Sequence, residues 1–147
     1  MDLTFQPARQ EDLEALYTLT KELIELYEDQ HQVDSAKIMA WVHRKLEIHI
    51  QEYTSIFSDG KKAGYYHFFA HDGHRMELDD LYVFPSYRSR GIGTAVIQKC
   101  YAETNQPILL YVFQNNTRAL ALYQKLGFQI QCQTSQVSNT RLILQRD

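Results

Sequence analysis

The chain has 147 residues, of which 44% are hydrophobic and 22% charged, and this composition predicts one folded domain over residues 1–147 rather than a disordered segment. A formal net charge of −3 argues against a protein held on nucleic acid mainly by phosphate contacts, and no apolar stretch reaches the roughly 18 residues that a membrane span needs. The acidic start of the chain and its two cysteines, Cys100 and Cys132, predict a cytoplasmic protein without a disulfide framework.

The first half of the chain is predicted to form a strand, two helices and a three-stranded antiparallel meander. Apolar residues at helical spacing predict an amphipathic helix over residues 10–27, and a second stripe predicts another helix that Asp34 or Ser35 caps. After Ile50 the pattern changes to short runs rich in aromatic residues, separated by turns, which predicts strands. The predicted strands cover residues 3–5, 53–57, 64–70 and 76–84, with a turn over residues 58–62.

In the second half of the chain, helices and strands are predicted to alternate. The predicted elements are a helix over residues 91–103, a strand over 108–113, a helix over 117–126 that Gly127 ends, and strands over 128–133 and 141–144. This order predicts an α+β fold in which about four helices flank a mixed, mostly antiparallel sheet of six to seven strands.

A glycine-containing loop precedes the helix predicted over residues 91–103. Glycine lets the backbone approach a ligand closely, and the first amides of a helix attract an anion, so the loop is predicted to bind a phosphate or pyrophosphate. A tight surface turn with two solvated arginines is the alternative. Val96 stands where a dinucleotide loop has a third small residue, so such a loop is not expected. The loop comprises Arg88, Ser89, Arg90, Gly91, Ile92, Gly93 and Thr94.

A second motif follows the next predicted strand. It consists of Asn116, Ala119, Tyr123 and Lys-Leu-Gly-Phe at residues 125–128. With the glycine loop and Leu-Tyr-Val-Phe-Pro at residues 81–85, it resembles the motifs of the GNAT N-acetyltransferase superfamily. The resemblance implies transfer of an acetyl group from acetyl-CoA to a primary amine by direct attack in a ternary complex. The alternative is a non-catalytic acyl-CoA-binding or regulatory module with the same fold.

The resemblance also implies a cofactor site without a metal. The pantetheine of coenzyme A is implied to lie between the fourth and fifth strands, while the amides of residues 88–94 hold its pyrophosphate. Tyr123 is implied to stand near the thioester sulfur and to protonate the departing thiolate, although packing against the sheet is the alternative for its ring. Besides the loop, the implied cofactor contacts are the backbone of Leu81, Tyr82 and Val83 and the side chains of Asn116 and Tyr123. The six histidines are not spaced as metal ligands.

A general base is expected because an alkylammonium with a pKa of about 10.4 costs about 4–5 kcal/mol to deprotonate at pH 7. Period two predicts that Glu77 and Asp79 point to one face of their strand and Asp80 to the other. The resemblance implies that an acid on this strand takes the proton, with Glu77 as the first choice and Asp79 as the second. A solvated or structurally paired carboxylate is the alternative for each. Members that acetylate ribosomal-protein N-termini carry glutamate where Tyr111 stands, so that subclass is not expected.

Acidic residues mark the helical region before residue 35, which the resemblance implies to line the acceptor site. An acidic rim would attract polyamines, aminoglycosides or lysine side chains, although a solvated helix face explains the acids as well. The eight acids are Glu11, Asp12, Glu14, Glu22, Glu25, Glu28, Asp29 and Asp34. An aromatic wall or the core would hold Tyr27, Trp41, Tyr65 and Tyr66. The expected partner is thus a small-molecule amine or a lysine side chain, without nucleic acid or membrane, and monomer and homodimer both stay open.

Overall fold

The computed structural model describes residues 2–27, 35–134 and 141–147, which form one seven-stranded sheet with helices on both faces. The strands are β1 (Leu3–Pro7), β2 (Tyr53–Ser58), β3 (Lys61–Ala70), β4 (Met76–Val83), β5 (Ile108–Phe113), β6 (Gln129–Thr134) and β7 (Arg141–Arg146). The α-helices are α1 (Leu13–Tyr27), α2 (Ser35–His49), α3 (Ile92–Ala102) and α4 (Thr117–Lys125). The predicted α+β fold is confirmed, whereas Asp34, one of the two predicted caps of α2, lies outside the described residues.

The strands of the sheet lie in the order β1-β2-β3-β4-β5-β7-β6. Neighbouring strands are antiparallel except for β4 and β5, which run parallel and pair at Met76 with Ile108 and at Glu77 with Leu109. Beyond these two register pairs the strands separate. The later residues of β4 and β5 therefore border a gap in the middle of the sheet, where their facing backbone edges are open to a ligand.

Two hydrophobic clusters cover the two faces of the sheet, because alternate side chains of each strand point to opposite sides. On one face α3 packs against the sheet through Ile92, Val96, Ile97 and Cys100. On the other face α1 and α2 pack through Leu16, Ile24, Val42 and Leu46. The glycine loop, which leads into α3, thus belongs to the face opposite α1 and α2.

The turn between β2 and β3 is tighter than the sequence prediction. Asp59 and Gly60 have φ angles of 51° and 82°, and a two-residue type I′ turn requires positive φ at both positions. Asp-Gly is a preferred sequence for this turn, and β3 therefore begins at Lys61. The predicted turn over residues 58–62 is too long.

A β-bulge interrupts β4 beside the gap. Tyr65 pairs with Tyr82 and His67 with Asp79, so two residues of β4 stand opposite one residue of β3. Asp80 has a φ of 50°, which aspartate tolerates better than most residues. The bulge breaks the period-two alternation and turns the carboxylate of Asp80 toward the α1–α2 face. The prediction that Asp79 and Asp80 point to opposite faces is therefore wrong.

Close packing of β3 supports the bulge. A Cβ atom on Gly64 would lie 2.0 Å from the carbonyl oxygen of Tyr82, which is far inside van der Waals contact. Only glycine lets β3 approach β4 at this point. The geometry of the strand that carries Asp79 and Asp80 thus depends on a glycine in the neighbouring strand.

Candidate active site

A cavity of about 590 Å³ occupies the gap between β4 and β5. Helices α1 and α2 form one wall, the two strands form its floor, and the first turns of α4 close it. Six predicted site residues line it: Glu77, Asp79, Leu81, Tyr82, Asn116 and Tyr123. Among the described residues, the other predicted contacts, Val83 and residues 88–94, lie outside this wall.

Lys45 of α2 joins the two adjacent aspartates of the bulge. Its Nζ donates a hydrogen bond of 2.8 Å to Oδ2 of Asp79 and lies 3.5 Å from Oδ2 of Asp80. Burial and the charge of Asp80 raise the pKa of Asp79 to about 6, and Lys45 partly opposes this rise. Asp79 is therefore a carboxyl group that can exchange a proton near neutral pH.

The carboxylate of Asp80 is held by tyrosine hydroxyl groups. Tyr53 donates a hydrogen bond of 2.5 Å to its Oδ2, and Tyr82 donates one of 3.0 Å to its Oδ1. Thr20 of α1 places its Oγ1 3.1 Å from the Tyr82 hydroxyl. Burial and the nearby Asp80 raise the pKa of Tyr53 and of Tyr82, so both tyrosines stay protonated donors. Both oxygens of Asp80 are thus bonded, and Asp79 in turn accepts hydrogen bonds from Lys45 and, at 3.0 Å, from the backbone N–H of Asp80.

Glu77, the first choice for the base, is paired with His71, as Asp79 is paired with Lys45. Nδ1 of His71 lies 2.9 Å from Oε1 of Glu77, and the Glu77 side chain is mostly buried. Glu77 lines the cavity at the closed end, where β4 still pairs with β5. Asp79 lies two residues further along the strand, where β4 and β5 have separated.

Tyr123 projects from α4 into the cavity. Its ring packs edge-on against Phe128 at a centroid distance of 5.8 Å. Burial, followed by the charge of Asp79, raises the pKa of Tyr123 to about 12. Asp79 of β4 and Tyr123 of α4 line the same cavity. A carboxylate and a protonated phenol are thus brought together there.

Asn116 has a structural task as well as a place in the cavity wall. It is the N-cap of α4, and its Oδ1 accepts a hydrogen bond of 3.3 Å from the backbone N–H of Ala119. This cap fixes the start of α4 and thereby the position of Tyr123 two turns later. Asn116 and Tyr123 thus lie two turns apart on one helix, and both line the cavity.

Two residues of the glycine loop have left-handed backbone conformations just before α3. Ser89 and Gly91 have φ angles of 62° and 82°, and α3 begins at Ile92. The Ile92 side chain is buried, so this residue can contact a ligand only through its backbone. A Cβ on Gly91 would meet nothing within 4 Å, whereas a Cβ on Gly93 would lie 3.4 Å from Leu122. Gly91 therefore serves the turn, whereas a side chain at Gly93 would reach van der Waals contact with Leu122 of α4.

Arginine side chains surround this loop. Arg88 donates from Nε to the carbonyl oxygen of Val83 at 2.9 Å, and its backbone N–H bonds to Pro85 at 3.3 Å. Arg90 lies over the ring of Tyr87. Arg118 of α4 donates to Oγ of Ser89 at 2.7 Å, which adds a third guanidinium group beside the loop. The helix N-terminus and these charges fit a phosphate-bearing ligand.

Sequence reasoning missed Lys45, Arg118 and the role of Asp80. Lys45 could have been found as a cation next to the apolar stripe of α2, and Arg118 as a charge in the first turn after Asn116. Asp80 gives no comparable signal, because a bulge in the strand decides its direction.

The acidic residues of the α1 region do not form the predicted rim among the described residues. Asp12 is buried, where it accepts hydrogen bonds from Lys62 and from the hydroxyl of Tyr65 at 2.7 Å. Four further acids are exposed and lie outside the cavity wall: Glu11, Glu14, Glu22 and Glu25. Glu28, Asp29 and Asp34 lie outside the described residues. From α1 the cavity receives Thr20, Leu23 and Ile24 instead.

The predicted aromatic wall is reduced to one of its four residues. Trp41 lines the cavity, whereas Tyr65 and Tyr66 are buried in the two cores. The side chain of Tyr27 lies outside the described ones. In the described parts of the chain no helix is long and apolar enough to cross a membrane. The same parts contain no group of three or more His, Cys, Asp or Glu side chains that could hold a metal ion.

Comparison with known proteins agrees with this geometry. Residues 13–128 match the sequence profile of the acetyltransferase (GNAT) family. A thialysine N-epsilon-acetyltransferase from Bos taurus is 37% identical over 70 residues, 44% of this chain and 41% of that protein. A mycothiol acetyltransferase from Corynebacterium glutamicum (strain R) is 36% identical over 64 residues, 39% of this chain and 22% of that protein. The aligned part thus spans less than half of either relative.

Among solved structures, a PaiA N-acetyltransferase from Thermoplasma acidophilum in complex with coenzyme A has a similar fold. The TM-score is 0.70 at 19% sequence identity, and the superposition covers 100% of this chain and 99% of the other. The arrangement of strands and helices is therefore shared over the full length of both chains.

Proposed function

Because the chain belongs to the acetyltransferase (GNAT) family, we propose that it transfers an acetyl group from acetyl-CoA to a primary amine by direct attack in a ternary complex. The observation that carries this proposal is the cavity between β4 and β5, into which Asp79 and Tyr123 project from opposite sides. The two curated relatives have different names and acceptors, so the acceptor is argued from this chain's own cavity. The scarcity of cysteine favours the cytoplasm as the compartment.

Coenzyme A fits the residues present. The open edge of β4 at residues 81–83 offers backbone groups to the amides of the pantetheine arm. The first backbone amides of α3 offer a site for the pyrophosphate of coenzyme A. Arg88, Arg90 and Arg118 add positive charge beside that site. Asn116, at the start of α4, borders the gap from the side of β5.

The chemistry asks for one base and one acid. The amine nitrogen bonds to the acetyl carbonyl carbon and the carbon–sulfur bond breaks, giving an N-acetyl amide and free coenzyme A. Starting from the ammonium form, two protons leave the nitrogen: the base takes one, and the other balances the proton that the acid gives to the sulfur. Asp79 is the base we propose, because its pKa of about 6 leaves it mostly ionised at pH 7 yet able to hold a proton. Tyr123 is the acid, because its pKa of about 12 keeps it protonated until a thiolate appears.

The activity is tested by following thiol release from acetyl-CoA in the presence of a panel of primary amines. We expect amine-dependent release together with acetyl-CoA binding measured by calorimetry. Binding of acetyl-CoA without release on any amine would favour the non-catalytic acyl-CoA-binding module instead. Release that does not depend on an amine would indicate hydrolysis of the thioester and contradict direct transfer.

A further inference from the structure

We propose that the acceptor is a small monoamine with an apolar, preferably aromatic body, and that Trp41 of α2 selects it by packing against that body. This inference rests on the proposed acetyl transfer, whose acceptor it names by chemical class.

The acceptor side of the cavity is the one formed by α1 and α2. The glycine loop and the arginines beside it lie at the start of α3, on the opposite face of the sheet. A ligand held at that loop reaches the gap from the α3 side. The amine acceptor therefore binds against the α1–α2 wall. A cavity of about 590 Å³ has the size of small-molecule sites, and it favours a compact amine over a protein segment.

The wall on this side is apolar and ends in an exposed indole. Leu23, Ile24, Ile38 and Val42 contribute aliphatic side chains. Trp41 lines the same cavity, yet 59% of its surface is exposed, which is unusual for a large apolar residue. Covering this ring with an apolar ligand would remove that surface from water and add an aromatic contact. An exposed tryptophan at the edge of a reactive cavity therefore indicates an apolar ligand.

The charges of the wall suit one ammonium group and disfavour several. Glu77, Asp79 and Asp80 stand against Lys37 and Lys45, which leaves one negative charge when all five are ionised. Lys45 is bound to both aspartates, and Lys37 lies one helical turn before Trp41. The one net negative charge of this group balances a single ammonium group, whereas the second and third charges of a polyamine would find no further net negative charge among these five side chains. This wall reverses the polycation preference that the acids of the α1 region suggest.

The test compares phenethylamine, ethylamine and spermidine as acceptors for the wild type, Trp41→Ala, Trp41→Phe and Ile48→Ala. Ile48 is the matched control, because it is an exposed apolar residue of the same helix outside the cavity wall. We expect wild-type kcat/KM to be about tenfold or more higher for phenethylamine than for the other two amines, in line with one aromatic contact and a few buried methylenes. Trp41→Ala should lose about tenfold on phenethylamine through KM while changing ethylamine less than about twofold. Trp41→Phe should retain most of the activity, and Ile48→Ala all of it.

A preference for spermidine would overturn the inference, and so would an equal loss on all amines in Trp41→Ala. Calorimetry of phenethylamine added to the protein saturated with coenzyme A separates this inference from the proposed function. If phenethylamine binds, Trp41→Ala weakens this binding and no amine is acetylated, the proposed acetyl transfer is contradicted. The inferred ligand class, an apolar monoamine, then stands. Turnover of amines without any effect of Trp41 on phenethylamine would keep acetyl transfer and refute the ligand class.

Discussion

At the scale of single residues, Asp79 and Glu77 are the two candidates for the general base, and they predict different pH profiles. If Asp79 takes the proton, kcat should rise with pH through an apparent pKa of about 6, since the base is inactive while protonated. Asp79→Asn should lower kcat by roughly 10²–10⁴-fold and remove this acid limb. The pH profiles of Asp79→Asn and Glu77→Gln measure the difference. A limb that disappears in Glu77→Gln and persists in Asp79→Asn would assign the base to Glu77.

A variant of Lys45 provides a second test of the base through the pH dependence of kcat. Its charge lowers the pKa of Asp79, so Lys45→Met should move the acid limb of kcat to higher pH. A merely structural role of Lys45 would change stability and leave the position of the limb unchanged. Circular dichroism across the same pH range separates a shifted limb from unfolding.

Tyr123→Phe isolates one hydroxyl group, because phenylalanine keeps the ring that packs on Phe128. We expect kcat to fall toward the lower end of the roughly 10²–10⁴-fold range of general acid catalysis, while acetyl-CoA affinity holds. Because the pKa of Tyr123 is about 12, the wild-type profile should show no alkaline limb from this group in the usual assay range. Single-turnover rates at saturating acetyl-CoA provide the measurement. A wild-type rate in the variant would reduce Tyr123 to a packing residue.

The sequence could identify several residues of β4 and α4 that line the cavity, but not how β4 presents them. Tyr123 and Asn116 are found from a motif, because the cap and the helix that follows it are local features of the sequence. Asp80 is misplaced because period two holds only for an unbroken strand, and the bulge depends on Gly64 in another strand. Lys45 meets Asp79 across 34 positions of sequence, a contact that local patterns do not contain.

At the scale of secondary-structure elements, the glycine loop allows a comparison between two equivalent glycines. Gly91 and Gly60 both have a φ of +82°, and a Cβ on either would meet nothing within 4 Å. Alanine at either position should therefore cost about 1 kcal/mol of unfolding free energy through backbone strain. Gly91→Ala should also weaken acetyl-CoA binding, whereas Gly60→Ala, in the β2–β3 turn, should not. Denaturant unfolding and calorimetry on both variants decide whether the loop binds the cofactor; equal affinities would refute the proposed cradle.

His67 in β3 predicts a pH dependence of stability. Its ring is buried between Tyr53 and Phe69, at centroid distances of 4.5 and 4.3 Å, and neither nitrogen has a hydrogen-bond partner among the described residues. Burial lowers the pKa of His67 to about 4, below its ordinary value of 6.5. The unfolded chain thus binds a proton first, and stability should fall as the pH drops from about 6.5 to 4.

The variant His67→Phe keeps the stack and removes the titration. It should abolish up to about 3 kcal/mol of the stability lost between these pH values. Thermal unfolding at several pH values measures this, with His74→Phe, at an exposed histidine, as the control. Equal acid sensitivity in wild type and His67→Phe would show that other groups govern the acid transition.

At this scale most elements were predictable, since helical stripes and the apolar run of β5 are local signals. The predicted β2–β3 turn is too long, because Asp59 and Gly60 alone complete a two-residue turn. The acids near α1 suggested an acceptor rim, but an amphipathic helix turns its charges to solvent and its apolar stripe to the protein. Leu23 and Ile24, rather than the glutamates beside them, therefore reach the cavity.

At the scale of the whole molecule, a ligand in the gap should stabilise the fold, because β4 and β5 pair at only two register positions there. A ligand that binds the native state alone adds about 2.7 kcal/mol of unfolding free energy at a concentration of 100 times its Kd. We expect coenzyme A and acetyl-CoA to raise Tm by several degrees and NAD at the same concentration to leave it nearly unchanged.

Pantetheine, which lacks the pyrophosphate, should give a smaller Tm shift than coenzyme A. Arg118→Ala should reduce the shift with coenzyme A while leaving that with pantetheine in place, because the guanidinium lies beside the loop rather than in the gap. Thermal unfolding with each ligand tests all of this in one experiment, and added salt should diminish the part that depends on Arg118. An equal shift with NAD would contradict a loop selective for coenzyme A, and no shift with either coenzyme A ligand would contradict the assigned cofactor site.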